Sequence, residues 1–127
     1  MKKNLVILIY EIVGSSMCVA SSDGQKVYDR LSMALKEGHE VTLSFRNIKM
    51  LTSAFLNAAI GQLYGALPED KIKALLHVQD IEKDDSALLK RVVATAKQYF
   101  KDPKKFEQAV RDALEDENDG SQDGSNQ

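Results

Sequence analysis

The side chains with chemistry to offer are few: one cysteine, Cys18, two histidines, His39 and His77, and a hydroxyl pair, Thr52-Ser53, set between apolar segments. A nucleophilic mechanism would pair Cys18 with one histidine as its base. No third residue that would orient such a base stands at a recognisable spacing, and no nucleophile elbow surrounds the thiol. His39 follows Gly38 and reads as a polar loop residue. His77 stands between Leu76 and Val78 and reads as a partly buried structural histidine. Neither has the spaced cysteines or carboxylates of a metal site. The seven glycines are scattered, and neither GxxxxGK[ST] nor GxGxxG occurs, so no phosphate-cradling loop is encoded. Asp84-Asp85 resembles an acidic site, but a helix start accounts for both acids. No cofactor and no metal is expected, and the chain is not expected to be an enzyme.

The hydroxyl pair remains. In NIKMLTSAFLNAAIGQLYG, residues 47–65, the tail of an apolar strand turns into a helix that is apolar on nearly every side. One account is capping: a Ser or Thr at the N-cap accepts from a first-turn N–H and is worth about 1 kcal/mol. The other is a switch. A hydroxyl at a strand-to-helix turn lies at the sheet rim and at the positive end of a helix dipole. A phosphate there adds roughly −1.5 to −2 charges without unfolding the domain. Ser53 and Thr52 are thus candidate phosphoacceptors. The surface around them, Lys49, Met50, Ala54, Phe55 and Asn57, is the candidate interaction surface.

The elements that must position this turn follow from periodicity. NLVILIYEIV, Asn4 to Val13, is short, β-branched and apolar, as a buried strand is. After Gly14-Ser15-Ser16, MCVA is expected to form a short strand pairing back on the first. A helix then starts with Ser22 or Asp23 as its cap. Val27, Leu31, Ala34 and Leu35 share one face, and Gly38 stands where a C′ glycine belongs. Glu40 to Phe45 alternates Val41, Leu43 and Phe45 as a strand. The helix after Ser53 carries Phe55, Leu56, Ala59, Ile60 and Leu63 inward and stops at Leu67-Pro68. A further strand is expected around Ile72 to Val78. Asp84 and Asp85 cap a long helix striped by Leu88, Leu89, Val92, Val93, Ala96 and Phe100. Asp102-Pro103 opens one more helix.

At 127 residues the chain suits one domain, expected over 1–115, followed by an acidic disordered tail at 116–127. Glu115 to Gln127 carries five acids and no base, which leaves the rest at about +3 against a net −2 for the whole. That is too weak and too scattered a positive charge for nucleic acid. The basic, apolar start reads as a core strand rather than a signal peptide, because Tyr10 and Glu11 interrupt it. No run approaches the roughly 20 apolar residues of a membrane span. A single cysteine suits a reducing compartment, and a cytoplasmic location is expected.

VTLSFRNIKMLTSAFLNAAIG resembles the core of STAS domains, the fold of bacterial anti-sigma factor antagonists. Their strand is followed by Asp-Ser-Ser/Thr-Gly-Leu opening a helix. EVTLSF followed by LTSAFLNAAIGQLYG is more closely similar to STAS-like domains of unknown function, which carry a small hydroxyl pair and a Phe-containing helix start. DKIKALLHVQDIEKDDSALLKRVVATAKQYF resembles that group's next strand and long helix, so the likeness spans roughly Asp23 to Phe100. The resemblance implies a single STAS-like α/β domain: a mixed sheet of about four strands, helices packed on it and an extra C-terminal helix. In the antagonists the serine after the turn aspartate is phosphorylated by a partner kinase. Ser53 occupies that place here, with Thr52 for the aspartate, Ala54 for the second hydroxyl and Phe55 for the glycine. The implied function is a regulatory protein–protein interaction with a phospho-switch at Ser53. The implied partner is a histidine-kinase-like ATPase, with neither nucleic acid nor membrane involved. The alternative is a self-associating adaptor in which Thr52-Ser53 is only a cap.

Overall fold

The computed structural model describes residues 2–102 together with Gln108, Arg111 and Asp112. The chain divides into two compact units, residues 1–96 and residues 97–127.

In the first unit, β1 (Asn4–Leu8), β3 (Glu40–Ser44) and β5 (Leu76–Gln79) form a three-stranded sheet with β3 in the middle. Both pairings are parallel, with Leu5 opposite Val41, Ile7 opposite Leu43, and Leu43 opposite Val78. Parallel neighbours need crossover connections, and the helices supply them. Period-two alternation sorts the residues by face. Val41 and Leu43 are fully buried, while Val6, on the opposite face, is 67% exposed. Ser44 is buried too, and its hydroxyl donates to Asp80 Oδ2 at 2.7 Å, so no polar group is stranded there. On the outer face His77 Nε2 meets Glu40 Oε2 at 2.7 Å, with both side chains about half exposed. His77 is therefore a surface partner of Glu40 rather than a partly buried residue.

Helix α2 (Ser21–Lys36) crosses from β1 to β3 and buries Val27, Leu31, Ala34 and Leu35, the face its spacing predicts. Its N-cap is Ala20, with no side-chain bond, and Asp23 lies inside the first turn instead of capping it. Gly38, at φ 86°, closes the far end with its N–H on Leu35 O at 3.0 Å. Gly24 is buried against the next helix. A Cβ there would run into the Phe55 carbonyl oxygen and lie 2.8 Å from Ala58 Cβ.

Several expectations need correcting. The α/β architecture is as expected, but among the described residues the sheet has three strands rather than about four, with a separate two-stranded ribbon, β2 (Met17–Cys18) with β4 (Met50–Leu51), and the pairings are parallel rather than mixed. Thus β2 joins β4, not β1. The first strand ends at Leu8, and Ile9–Val13 forms a helix, α1, closed by Gly14 at φ 77°. The helical turn buries Ile9 while Tyr10 and Glu11 stay exposed, an arrangement a straight strand would not achieve. The strand expected over Ile72 to Val78 is half helix. A short helix, α5 (Glu69–Leu75), turns Ile72 inward and leaves Lys73 and Ala74 exposed, and β5 begins only at Leu76.

The long helix is present as α6 (Lys83–Lys101), with Leu89, Val92 and Ala96 buried. Phe100 is exposed, and its ring meets Tyr99 edge-on at 4.9 Å. Gln108, Arg111 and Asp112 are helical. The rest of the helix expected from Asp102-Pro103, and the tail from residue 116, lie outside the described residues. Among the described residues no helix is long and apolar enough to cross a membrane.

Candidate functional site

Thr52 stands in extended conformation just before α3 (Ser53–Leu56). Its Oγ1 accepts from the Phe55 N–H at 3.2 Å and donates to the Val19 carbonyl at 2.6 Å. The first bond caps the helix. The second ties that cap to the chain leaving β2. Both functions of this hydroxyl are therefore in use. Ser53 is the first residue of the helix and is exposed, and its Oγ has no hydrogen-bond partner among the described residues. Two adjacent hydroxyls that look equivalent in sequence have different situations.

The helix does not continue as a regular α-helix. Asn57–Gly61 is a π turn, in which the Gln62 N–H reaches back to Asn57 O at 3.1 Å, before α4 (Leu63–Ala66). A widened turn disturbs the normal ladder of carbonyls. Here the Gln62 side chain compensates by donating to Ala58 O at 2.7 Å and to Gln25 Oε1 at 2.8 Å. Gln25 in turn donates to Asp29 Oδ1 at 3.0 Å, so a short polar chain joins the π turn to α2. Inward, Phe55, Leu56, Ala59, Ile60 and Leu63 are all buried, as their spacing predicts.

Outward, Ser53 and Asn57 lie one turn apart and form one wall of a cleft of about 340 Å³. The other wall is a single face of α6, made by Leu88, Arg91, Val92 and Thr95. Arg91 is exposed, and no carboxylate among the described residues forms an ion pair with it. The cleft thus holds two hydroxyls, an amide and a guanidinium above the apolar surface of Leu88 and Val92. Its chemistry suits a small polar or anionic group.

The other candidates separate in space. Lys49, Met50 and Ala54 are exposed, as an interaction surface requires. Phe55 is not part of that surface: it is 0% exposed and belongs to the core, where the first turn of α3 points its ring. Met50 stands on the ribbon opposite Met17 rather than in the cleft. Arg91 and Thr95 have no counterpart in the residues singled out from sequence. The available signal was their i, i+4 spacing beside the Leu88–Val92 stripe.

The groups able to do nucleophilic chemistry are not assembled. Cys18 is 0% exposed, and burial, with the Asp23 carboxylate adding to it, pushes its thiol up to about 11. Such a thiol is a poor nucleophile near neutral pH. His39 Nδ1 accepts from the Lys3 N–H at 3.0 Å, so its Nε2 carries the proton toward Glu37 Oε1 at 3.2 Å.

Comparison with known proteins fits this geometry. No curated protein and no solved structure matches the chain. A family described as the STAS-like domain of unknown function (DUF4325) matches residues 23–86, from the first turn of α2 through β5 to the first residues of α6, and includes Ser53 and Asn57. The match covers just over half of the sequence, and the chain belongs to this STAS-like family.

Proposed function

We propose that this chain is a non-enzymatic regulatory module that binds another protein through the surface around Lys49, Met50, Ala54 and Asn57, and that phosphorylation of Ser53 sets that binding. One observation carries the reading. Thr52 is committed to the cap and to Val19, whereas Ser53, one residue on, is exposed with its hydroxyl uncommitted among the described residues. A phosphate on Thr52 would replace the proton that Thr52 Oγ1 donates to Val19 O and so break the bond that ties the helix start to the chain leaving β2. On Ser53 it adds charge and leaves that bond alone. The partner is of the histidine-kinase-like ATPase type that acts on the STAS antagonists this chain resembles. It would transfer the γ-phosphoryl group of ATP to Ser53 Oγ, with ADP leaving and the hydroxyl proton passing to the kinase. The non-enzymatic part of the reading is supported by the buried, raised thiol of Cys18 and by the separate engagements of His39 and His77.

The intact mass of the protein from its host, with fragmentation across 49–64, tests this directly. Phosphate on Ser53 is the expected result. An unmodified turn under several growth states refutes the switch. In binding, Ser53→Asp is expected to weaken partner association with the fold intact. Equal binding by the Asp, Ala and wild-type forms points the same way as an unmodified turn.

A second reading centres on the β2–β4 ribbon, which shares Met50 with the surface above. Met17, Val19 and Met50 are 45%, 41% and 47% exposed along the β2–β4 ribbon, an apolar cluster suited to self-association. Sedimentation over a wide concentration range tests it, and a monomer throughout removes it.

A further inference from the structure

The cleft beside Ser53 brings a modifiable hydroxyl and an unneutralised cation to the same small space. Arg91 is the charged residue among the six that line it, the others being Ser53, Asn57, Thr95, Leu88 and Val92. We propose that this cleft receives the phosphoryl group of Ser53 itself, with Arg91 as its counter-ion and Thr95 and Asn57 as flanking hydrogen-bond donors, so that modification ties the start of α3 to α6. The inference rests on Ser53 being the modified residue of the reading above, but its test does not depend on modification in the host.

The geometry supplies each requirement. The two walls belong to different helices, so a group bridging them is a cross-link rather than a local ornament. The volume of about 340 Å³ leaves room for a phosphoryl group on the Ser53 side chain. A guanidinium presents a planar fork that meets two phosphate oxygens at once, which an ammonium cannot do. Val92, 5% exposed, and the half-buried Leu88 give the cleft an apolar floor, where a charge pair is less screened than on an open surface. Before modification neither Arg91 nor the Ser53 hydroxyl has an ionic or hydrogen-bond partner among the described residues, so no existing interaction must be broken. Arg91 also lies beyond residues 23–86, outside the segment the family shares.

The experiment uses the full chain with phosphoserine incorporated genetically at position 53, in wild-type, Arg91→Gln and Arg91→Lys backgrounds. Phosphorus NMR follows the second ionisation of the phosphate. It is expected to fall in the wild type by about half a unit or more relative to Arg91→Gln, with Arg91→Lys between them. The thermal midpoint is expected to rise on phosphorylation by about 3 °C more in the wild type than in Arg91→Gln, and 1 M salt should reduce the difference. Arg91 is exposed, so its replacement leaves the core intact, and a folded Arg91→Gln chain keeps the comparison decisive. The same phosphate ionisation in wild type and Arg91→Gln overturns the proposal. If the host protein proves unmodified while this coupling is present, the switch reading fails and the receiver stands. A phosphorylated host protein with no coupling keeps the switch and removes the receiver.

Discussion

Replacing Thr52 by alanine removes two hydrogen bonds with a single oxygen, and the cost follows from what each one does. Loss of the bond to the Phe55 N–H removes an N-cap, at about 1 kcal/mol. Loss of the 2.6 Å bond to the Val19 carbonyl, which stays within reach of water, adds about 0.5–1 kcal/mol. The sum, about 1.5–2 kcal/mol, corresponds to a fall of roughly 5–10 °C in melting temperature for a domain of this size. Ser53→Ala should stay within about 0.5 kcal/mol of wild type, since its hydroxyl bonds nothing among the described residues. Thr52→Ser, which keeps the oxygen, should lose far less than Thr52→Ala. Urea unfolding followed by circular dichroism, fitted with a common m-value, separates the four proteins. A Ser53→Ala cost of about 1 kcal/mol or more, with Thr52→Ala near zero, would mean that the cap belongs to the other hydroxyl. The assignment of Ser53 as the free one would then collapse.

Three further outcomes can be checked with the same equipment. Gly24→Ala should destabilise by about 2–3 kcal/mol, despite the better helix propensity of alanine, because the added Cβ would press on the Phe55 carbonyl and Ala58; a neutral result would mean that α2 and α3 can part easily. Gln62→Ala should cost about 1–2 kcal/mol by removing both bonds of its amide, and Gln62→Glu should not restore it, because a carboxylate cannot donate to Ala58 O or Gln25 Oε1. Cys18 should resist alkylation in the native state at pH 8. Because its thiol is raised to about 11 in the fold, the stability it contributes is whole below its unfolded value near 9 and drains away as pH rises from there toward 11. Cys18→Ala, compared with wild type over that range by thermal melts, should show a flatter decline, and parallel declines would contradict the burial of the thiol.

The parts of this fold visible in the sequence were those in which one face of a regular element meets the core. Val27, Leu31 and Leu35 mark α2, and Leu89, Val92 and Ala96 mark α6, because a long helix repeats its signal several times. The opening run was not legible in the same way. From Leu5 to Ile9 every residue is apolar, which fits a strand or a buried helical turn equally, and only the packing of Ile9 decides. α5 is too short for periodicity to overcome the β-branched and apolar residues that follow it. That β2 pairs with β4 is a contact between distant segments and leaves no local trace. At the site the hydroxyl pair was visible, but its division between cap and free group was not. That division depends on the Val19 carbonyl arriving from another part of the chain. Phe55 was readable as core from its place in the inward set, and Arg91 only from the fold that brings α6 beside Ser53.

The π turn over Asn57–Gly61 bears on how the length of this segment can vary. In a regular α-helix one added residue swings everything beyond it by about 100°. Here a turn closed by five residues in place of four absorbs the increment on the spot. Phe55 and Leu56 before it and Leu63 after it all still face the core. A chain shorter by one residue at this point would run as an ordinary helix and keep both flanks in phase, with Ser53 turned the same way. One residue can therefore be lost inside this helix, where a change of length is normally least tolerated, without moving the residue that opens it.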